Sequence, residues 1–168
     1  MQPQKKTNEL YAQVFSDVYG IKLMGFRYFN IFGPRQDPDG PYAAVIPLFI
    51  KGILNRCSVF INGDGEQTRD FTFVDNAVQI NIKGMLNQNE NAFNKVYNVA
   101  VGQQFSVNHL FNACADYLQS DWKPVYREPR KGDIRNSLAD ISLANEFLNY
   151  QPTVSFQQGL IETINYFK

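Results

Sequence analysis

Short β-forming runs alternate with helix-length segments along this chain, and that alternation leaves few architectures open. IKLMGFRYFNIF (21–32), SVFI (58–61), DFTFV (70–74), VYNVA (96–100) and VYRE (125–128) are rich in branched and aromatic residues and read as strands. Between residues 5 and 19, Leu10, Tyr11, Val14, Phe15 and Val18 recur at steps of three and four, which predicts a helix with one apolar face and Gly20 as its stop. Pro47 suits the first turn of a helix running to Leu54, because that position needs no amide proton. Asp75 is expected to cap a helix to about Leu86, Ser106 one to about Leu118, and Asp140 the next. Ser155 and Gln158 form the capping box of the last. Strands alternating with helices predict an α/β fold.

The composition narrows the function. At 168 residues the chain has the size of one domain with a real core. Sixteen basic residues balance sixteen acidic ones, so no long-range field favours nucleic acid or an anionic membrane. Cys57 and Cys114 sit in unrelated segments with His109 alone to help them, which predicts buried thiols and no metal site. The longest apolar run, Ala43 to Ile50, is far short of a membrane span, so a soluble cytosolic protein is expected. The chain enters a helix at once, without the strand that usually opens an α/β domain, and is expected to begin inside a larger fold.

Three polar clusters carry the chemistry. Arg27 to Asn30 lie at the end of the long strand, where open α/β sheets gather ligands; Asn30 either binds there or only turns the chain. Arg69 follows the glycine turn Asn62-Gly63-Asp64-Gly65, which reads as a hairpin between strands 58–61 and 70–74. It is either a solvated arginine on a strand edge or an anion ligand. Arg130 and Asp133 share a third loop, PRKGDIR. Two guanidinium groups on separate loops can clamp a diphosphate with forked hydrogen bonds, and an adjacent carboxylate can accept from a sugar hydroxyl.

Taken in order, RYFNIFGPRQDP, AAVIP, FINGDGEQTRDFTFVDNAV, VYNVAVG and REPRKGDIRNSLADIS resemble the extended short-chain dehydrogenase/reductase family of NAD-dependent nucleotide-sugar epimerases and dehydratases. The likeness is greatest to the bacterial UDP-N-acetylhexosamine 4-epimerases of polysaccharide biosynthesis. It implies an α/β fold comprising the substrate-binding C-terminal part of such an enzyme and the last elements of its Rossmann sheet. Residues 1–168 would form one compact region, with the NAD-binding Rossmann portion absent. KKTNELYA places Lys5 on the family lysine of a Tyr-x-x-x-Lys pair, and the tyrosine position falls on Met1. The expectation is a truncated, inactive portion that does not retain NAD.

The resemblance also implies roles. Asn30 would hydrogen-bond the sugar diphosphate, Tyr28 would lie near the nicotinamide along with Lys5, and Gln36 near the hexose. Ala44 and Val45 would offer backbone groups to uracil, while Phe49 and Phe60 would flank the base or ribose. Asn62 would contact the nucleoside, Arg69 and Arg130 the diphosphate, and Asp133 a ribose hydroxyl. In intact relatives a tyrosinate beside a protonated lysine takes the hexose O4 proton as hydride passes from C4 to NAD; the 4-keto sugar then turns and receives hydride on its other face. A non-catalytic nucleotide-sugar-binding module, or a dehydratase or decarboxylase of the same family, is the alternative. The helix over residues 5–19 would pair two subunits in relatives, and non-native self-association is expected here.

Overall fold

Most strands of this fold find their partners far along the sequence. The structure, a computed structural model, describes residues 3–40 and 44–168, with side chains from residue 6 onward. Its strands are β1 (Met24–Tyr28), β2 (Ile31–Phe32), β3 (Phe60–Asn62), β4 (Thr68–Arg69), β5 (Thr72–Phe73), β6 (Lys95–Val99), β7 (Phe105–Ser106) and β8 (Val125–Arg127). The helices are α1 (Pro3–Tyr19), α2 (Val45–Leu54), α3 (Val74–Met85), α4 (Val107–Tyr117), α5 (Ser142–Leu148) and α6 (Phe156–Phe167). Parallel pairs join β1 to β6, β2 to β5 and β3 to β8; β4 pairs antiparallel with β7. The class is mixed α/β, with helices connecting parallel strands.

The helices form where local signals and apolar spacing agree. Ser106 accepts from His109 N at 3.1 Å, and Ser155 with Gln158 completes the capping box of α6. On α2, Ile46, Phe49, Ile50 and Ile53 recur on one face and all are buried. They meet α4 and α6 in the larger core, where the Phe156 ring stacks 4.3 Å from Phe105 and lies edge-on to Phe32. Gly159 lets α6 approach β5, since a Cβ there would stand 2.6 Å from Phe73. A second core packs α3 and α5 against β1 and β6 around Ile80, Tyr97 and Tyr150.

Several sequence expectations are corrected. The strand expected over 21–32 is two strands, broken at Asn30, whose φ of 37° lies in the left-handed region. The glycine turn closes no hairpin, because β3 and β5 pair with β8 and β2 instead of with each other. The N-cap of α3 is Phe73, and Asp75 sits inside the first turn. Cys57 is exposed; Cys114 is buried, and burial pushes its thiol up to about 12. The apolar face of α1 is open: Leu10, Tyr11, Val14, Phe15 and Val18 are 47 to 65 % exposed. The helix is held to β1 by the forked pair from Arg27 to Glu9, both contacts at 2.6 Å.

Candidate functional site

Because β3 and β8 run parallel with Asn62 opposite Arg127, their carboxyl ends emerge side by side. The two loops that follow enclose a cavity of about 490 Å³, lined among others by Asn62, Asp64, Arg127, Arg130, Asp133 and Arg135. The first loop is the glycine turn. Gly63 and Gly65 have φ of 72° and 77°, and Gly63 N donates to Arg127 O at 2.8 Å. Only glycine fits at position 65, where a Cβ would lie 2.0 Å from Asn108 Oδ1. The Asn108 amide in turn donates to Asp64 O at 2.9 Å and Glu66 Oε1 at 2.6 Å.

Arginines fasten the second loop. Arg135 forks onto Asp64 at 2.7 and 2.8 Å, and these bonds, with a further one from the Glu66 amide, pull the Asp64 carboxyl down to about 2. Arg69 reaches from β4: Nη1 donates to Thr68 O at 2.7 Å and Ile134 O at 2.6 Å, while Nη2 pairs with Asp133. Asp133 N closes a turn onto Arg130 O at 3.1 Å. The guanidinium groups of Arg127 and Arg130 meet no acceptor among the described residues. Two unspent cations therefore face one cavity.

Behind Arg69 lies Asp70, fully buried. Its carboxylate accepts from the amides of Val101 and Gly102, each at 3.0 Å, and from Ala139 at 3.5 Å. Burial raises its affinity for a proton against the downward pull of those amides. Tyr150, whose hydroxyl donates to Ala100 O at 3.0 Å, is pushed up by burial and then by the Asp70 charge. Asp70 thus ties the Arg69 strand to the loop after β6 and to the segment leaving the 128–135 loop.

Of the residues singled out in the sequence, Asn62, Arg130 and Asp133 share the cavity wall, and Arg69 joins them through Asp133. Phe60, 40 % exposed, lies under the Arg127 guanidinium, 3.1 Å from its carbon to the ring centroid. Others sit apart. Asn30 turns the chain and donates to Asp70 O at 2.9 Å, and Gln36 donates to Ile31 O at 3.3 Å. Tyr28 borders a different cavity, between α1 and β1, with its hydroxyl 3.0 Å from Asn81 Oδ1. Ala44 and Val45 open α2, the former extended at φ −77° and ψ 155°. Phe49, expected beside a base, is 2 % exposed and packs edge-on to Phe111 in the core. The Lys5 side chain, Met1 and Ala43 lie outside the described residues. Sequence reasoning missed Asp64, Asp70, Arg127 and Arg135, and only Asp70 left a signal there: a carboxylate leading directly into an apolar run.

Comparison with known proteins adds the chemical context. Residues 3–100 match the NAD dependent epimerase/dehydratase family. A UDP-glucose 4-epimerase of Thermotoga maritima, solved with UDP-glucose, superposes with a TM-score of 0.91 at 40 % identity, over 96 % of this chain and 51 % of its own. A UDP-N-acetylglucosamine 4-epimerase of Methanobrevibacter ruminantium, solved with UDP-N-acetylmuramic acid, gives 0.90 at 44 % identity, over 98 % and 52 %. A UDP-N-acetyl-α-D-glucosaminuronate decarboxylase of Bacillus cytotoxicus is 35 % identical over 89 % of the chain and 47 % of its own length. The chain spans about half the length of the relatives it matches.

Proposed function

Since the chain belongs to the NAD dependent epimerase/dehydratase family, we propose that it is the nucleotide-sugar-binding part of a cytoplasmic UDP-hexose 4-epimerase, working on UDP-N-acetylglucosamine and its galacto epimer in polysaccharide biosynthesis. The observation that carries this reading is the junction of Arg69 with Asp133, 64 positions on, which ties β4 to the wall of a cavity that Arg130 also lines. Arg69 and Arg130 neutralise the diphosphate, Asp133 accepts from a ribose hydroxyl, and Asn62 and Phe60 meet the nucleoside. Asn30 and Gln36 serve the sugar end, and the opening of α2 at Ala44 and Val45 offers backbone groups to uracil. Phe49 supports that helix from the core. The 44 % identity to a UDP-N-acetylglucosamine 4-epimerase favours the N-acetylated sugar.

NAD supplies reversible oxidation at the sugar C4 in such enzymes. Tyr28 is offered to its nicotinamide, and the absence, among the described residues, of a glycine-rich turn leading directly from a strand into a helix supports the division that follows. We read the 168 residues as binding nucleotide sugar and retaining no NAD on their own. The decarboxylase similarity supports a second reading, in which the same nucleotide site serves another reaction at the hexose.

Calorimetry with UDP on the purified chain tests the site: binding is expected, and its absence would overturn the function. Incubation with UDP-N-acetylglucosamine, followed by NMR, should return it unchanged. Epimer formation by these residues alone would refute the division of labour. The open apolar face of α1 supports pairing of two chains through that helix. Sedimentation is expected to give species above the monomer mass at high concentration, and a strictly monomeric profile would exclude the pairing.

A further inference from the structure

We infer that Arg127, stacked on Phe60, is the nucleobase-binding residue of this site and determines how strongly the nucleoside end of a ligand is held. The inference rests on the nucleotide-sugar reading above and adds a residue to it. Arg127 stands opposite Asn62 in the β3–β8 pair, so its side chain and that of Phe60 rise from one face of the same two-stranded ribbon. Its guanidinium carbon lies 3.1 Å from the ring centroid, so the group rests on the Phe60 ring.

The peripheral N–H groups are unspent. Arg27, Arg69 and Arg135 each pair with a carboxylate, whereas Arg127 has no acceptor among the described residues although it lines the cavity. A flat cation with unspent donors around its rim suits a flat ligand with carbonyl oxygens at its edge. A pyrimidine dione meets both requirements. Phosphate could also take a forked pair from the rim, which is why inorganic pyrophosphate enters the test. Arg130 and Asp133 lie in the loop after β8, Asp133 pairs with Arg69, and in the reading above this group takes the diphosphate. The division places the base at Phe60 and Arg127, and the diphosphate at the 130–135 loop.

The experiment is calorimetric titration of the 168-residue chain with UDP, UMP and inorganic pyrophosphate, comparing the parent with Arg127→Ala, Arg127→Lys and Phe60→Leu. Arg127→Ala should weaken UDP and UMP by a common factor of about ten and leave pyrophosphate unchanged, in keeping with the loss of one stacked base. Lysine keeps the charge and loses the plane, so Arg127→Lys should resemble alanine. Phe60→Leu should lose part of the same factor by loosening the support. Equal weakening of pyrophosphate, or full rescue by lysine, would make Arg127 a phosphate ligand and overturn the inference. Unchanged UDP binding in Arg127→Ala would overturn it while leaving the nucleotide-sugar reading intact. A parent chain that binds pyrophosphate but not UDP would overturn both. Circular dichroism of each variant, on this exposed strand, should match the parent.

Discussion

Replacing Asp70 by alanine should lower the unfolding free energy by about 3 kcal/mol, a large share of what holds a domain this size together. The carboxylate is fully buried and accepts from Val101, Gly102 and Ala139. Alanine leaves those amides unsatisfied, at about 1 to 3 kcal/mol for each one that water cannot reach. Against this stands the cost of burying a charge, which is why the group holds its proton more tightly than a free aspartate. Three amides converge on this one side chain, and their loss sets the cost of the alanine. Asp70→Asn separates the two effects. It keeps one acceptor oxygen but turns an N–H₂ group towards an amide donor, so it should lose nearly as much, about 2 kcal/mol.

The pH dependence follows from the direction of the shift. A carboxyl with a raised folded-state pKa contributes stability that is fully present below its unfolded value of 3.8 and is lost as pH rises through the folded value. Urea denaturation across that window should show stability falling with pH in the parent and not in Asp70→Asn. Asp64 has the opposite sign, since its contribution is lost only as pH falls from 3.8 towards about 2. It is exposed and screened by salt. An Asp70→Asn variant as stable as the parent at neutral pH would show that the three amides do not depend on the carboxylate.

What was legible in the sequence was local. The Ser106 cap and the Ser155–Gln158 box hold because each is closed within three residues. The α/β class was readable because the alternation of periods survives whatever the strands pair with. Pairing itself was not readable. The glycine turn looks like a hairpin in isolation, yet β3 takes β8 from more than sixty residues away and β5 takes β2. The break at Asn30 is likewise tertiary, fixed by Thr72 N donating to Asn30 O and by the Asn30 amide reaching Asp70 O. Phe49 was misplaced despite an available signal: its spacing with Ile46, Ile50 and Ile53 marks the inward face of α2. Asp64 and Arg135, 71 positions apart, carry no mark of their pairing, because charge complementarity between exposed loops has no periodicity.

Arg69→Ala should weaken UDP binding about a hundredfold, against about tenfold for Arg130→Ala, although the proposed site gives both residues a place on the diphosphate. The difference lies in what each arginine does before ligand arrives. Arg130 is free among the described residues, so its removal subtracts one charged contact. Arg69 is 18 % exposed and already spans Thr68 O, Ile134 O and Asp133. Without it the 128–135 loop loses its anchor to β4, and binding must order Arg130 and Asp133 as well as replace a missing cation. Lysine cannot bridge two carbonyls and a carboxylate from one ammonium in that geometry, so Arg69→Lys should recover little. Limited proteolysis supplies the independent readout: the ligand-free Arg69→Ala chain should be cut faster within residues 128–135, and Arg130→Ala should not. Equal losses of affinity with unchanged proteolysis would mean that Arg69 contributes charge alone and that the loop is held by the Asp64–Arg135 pair.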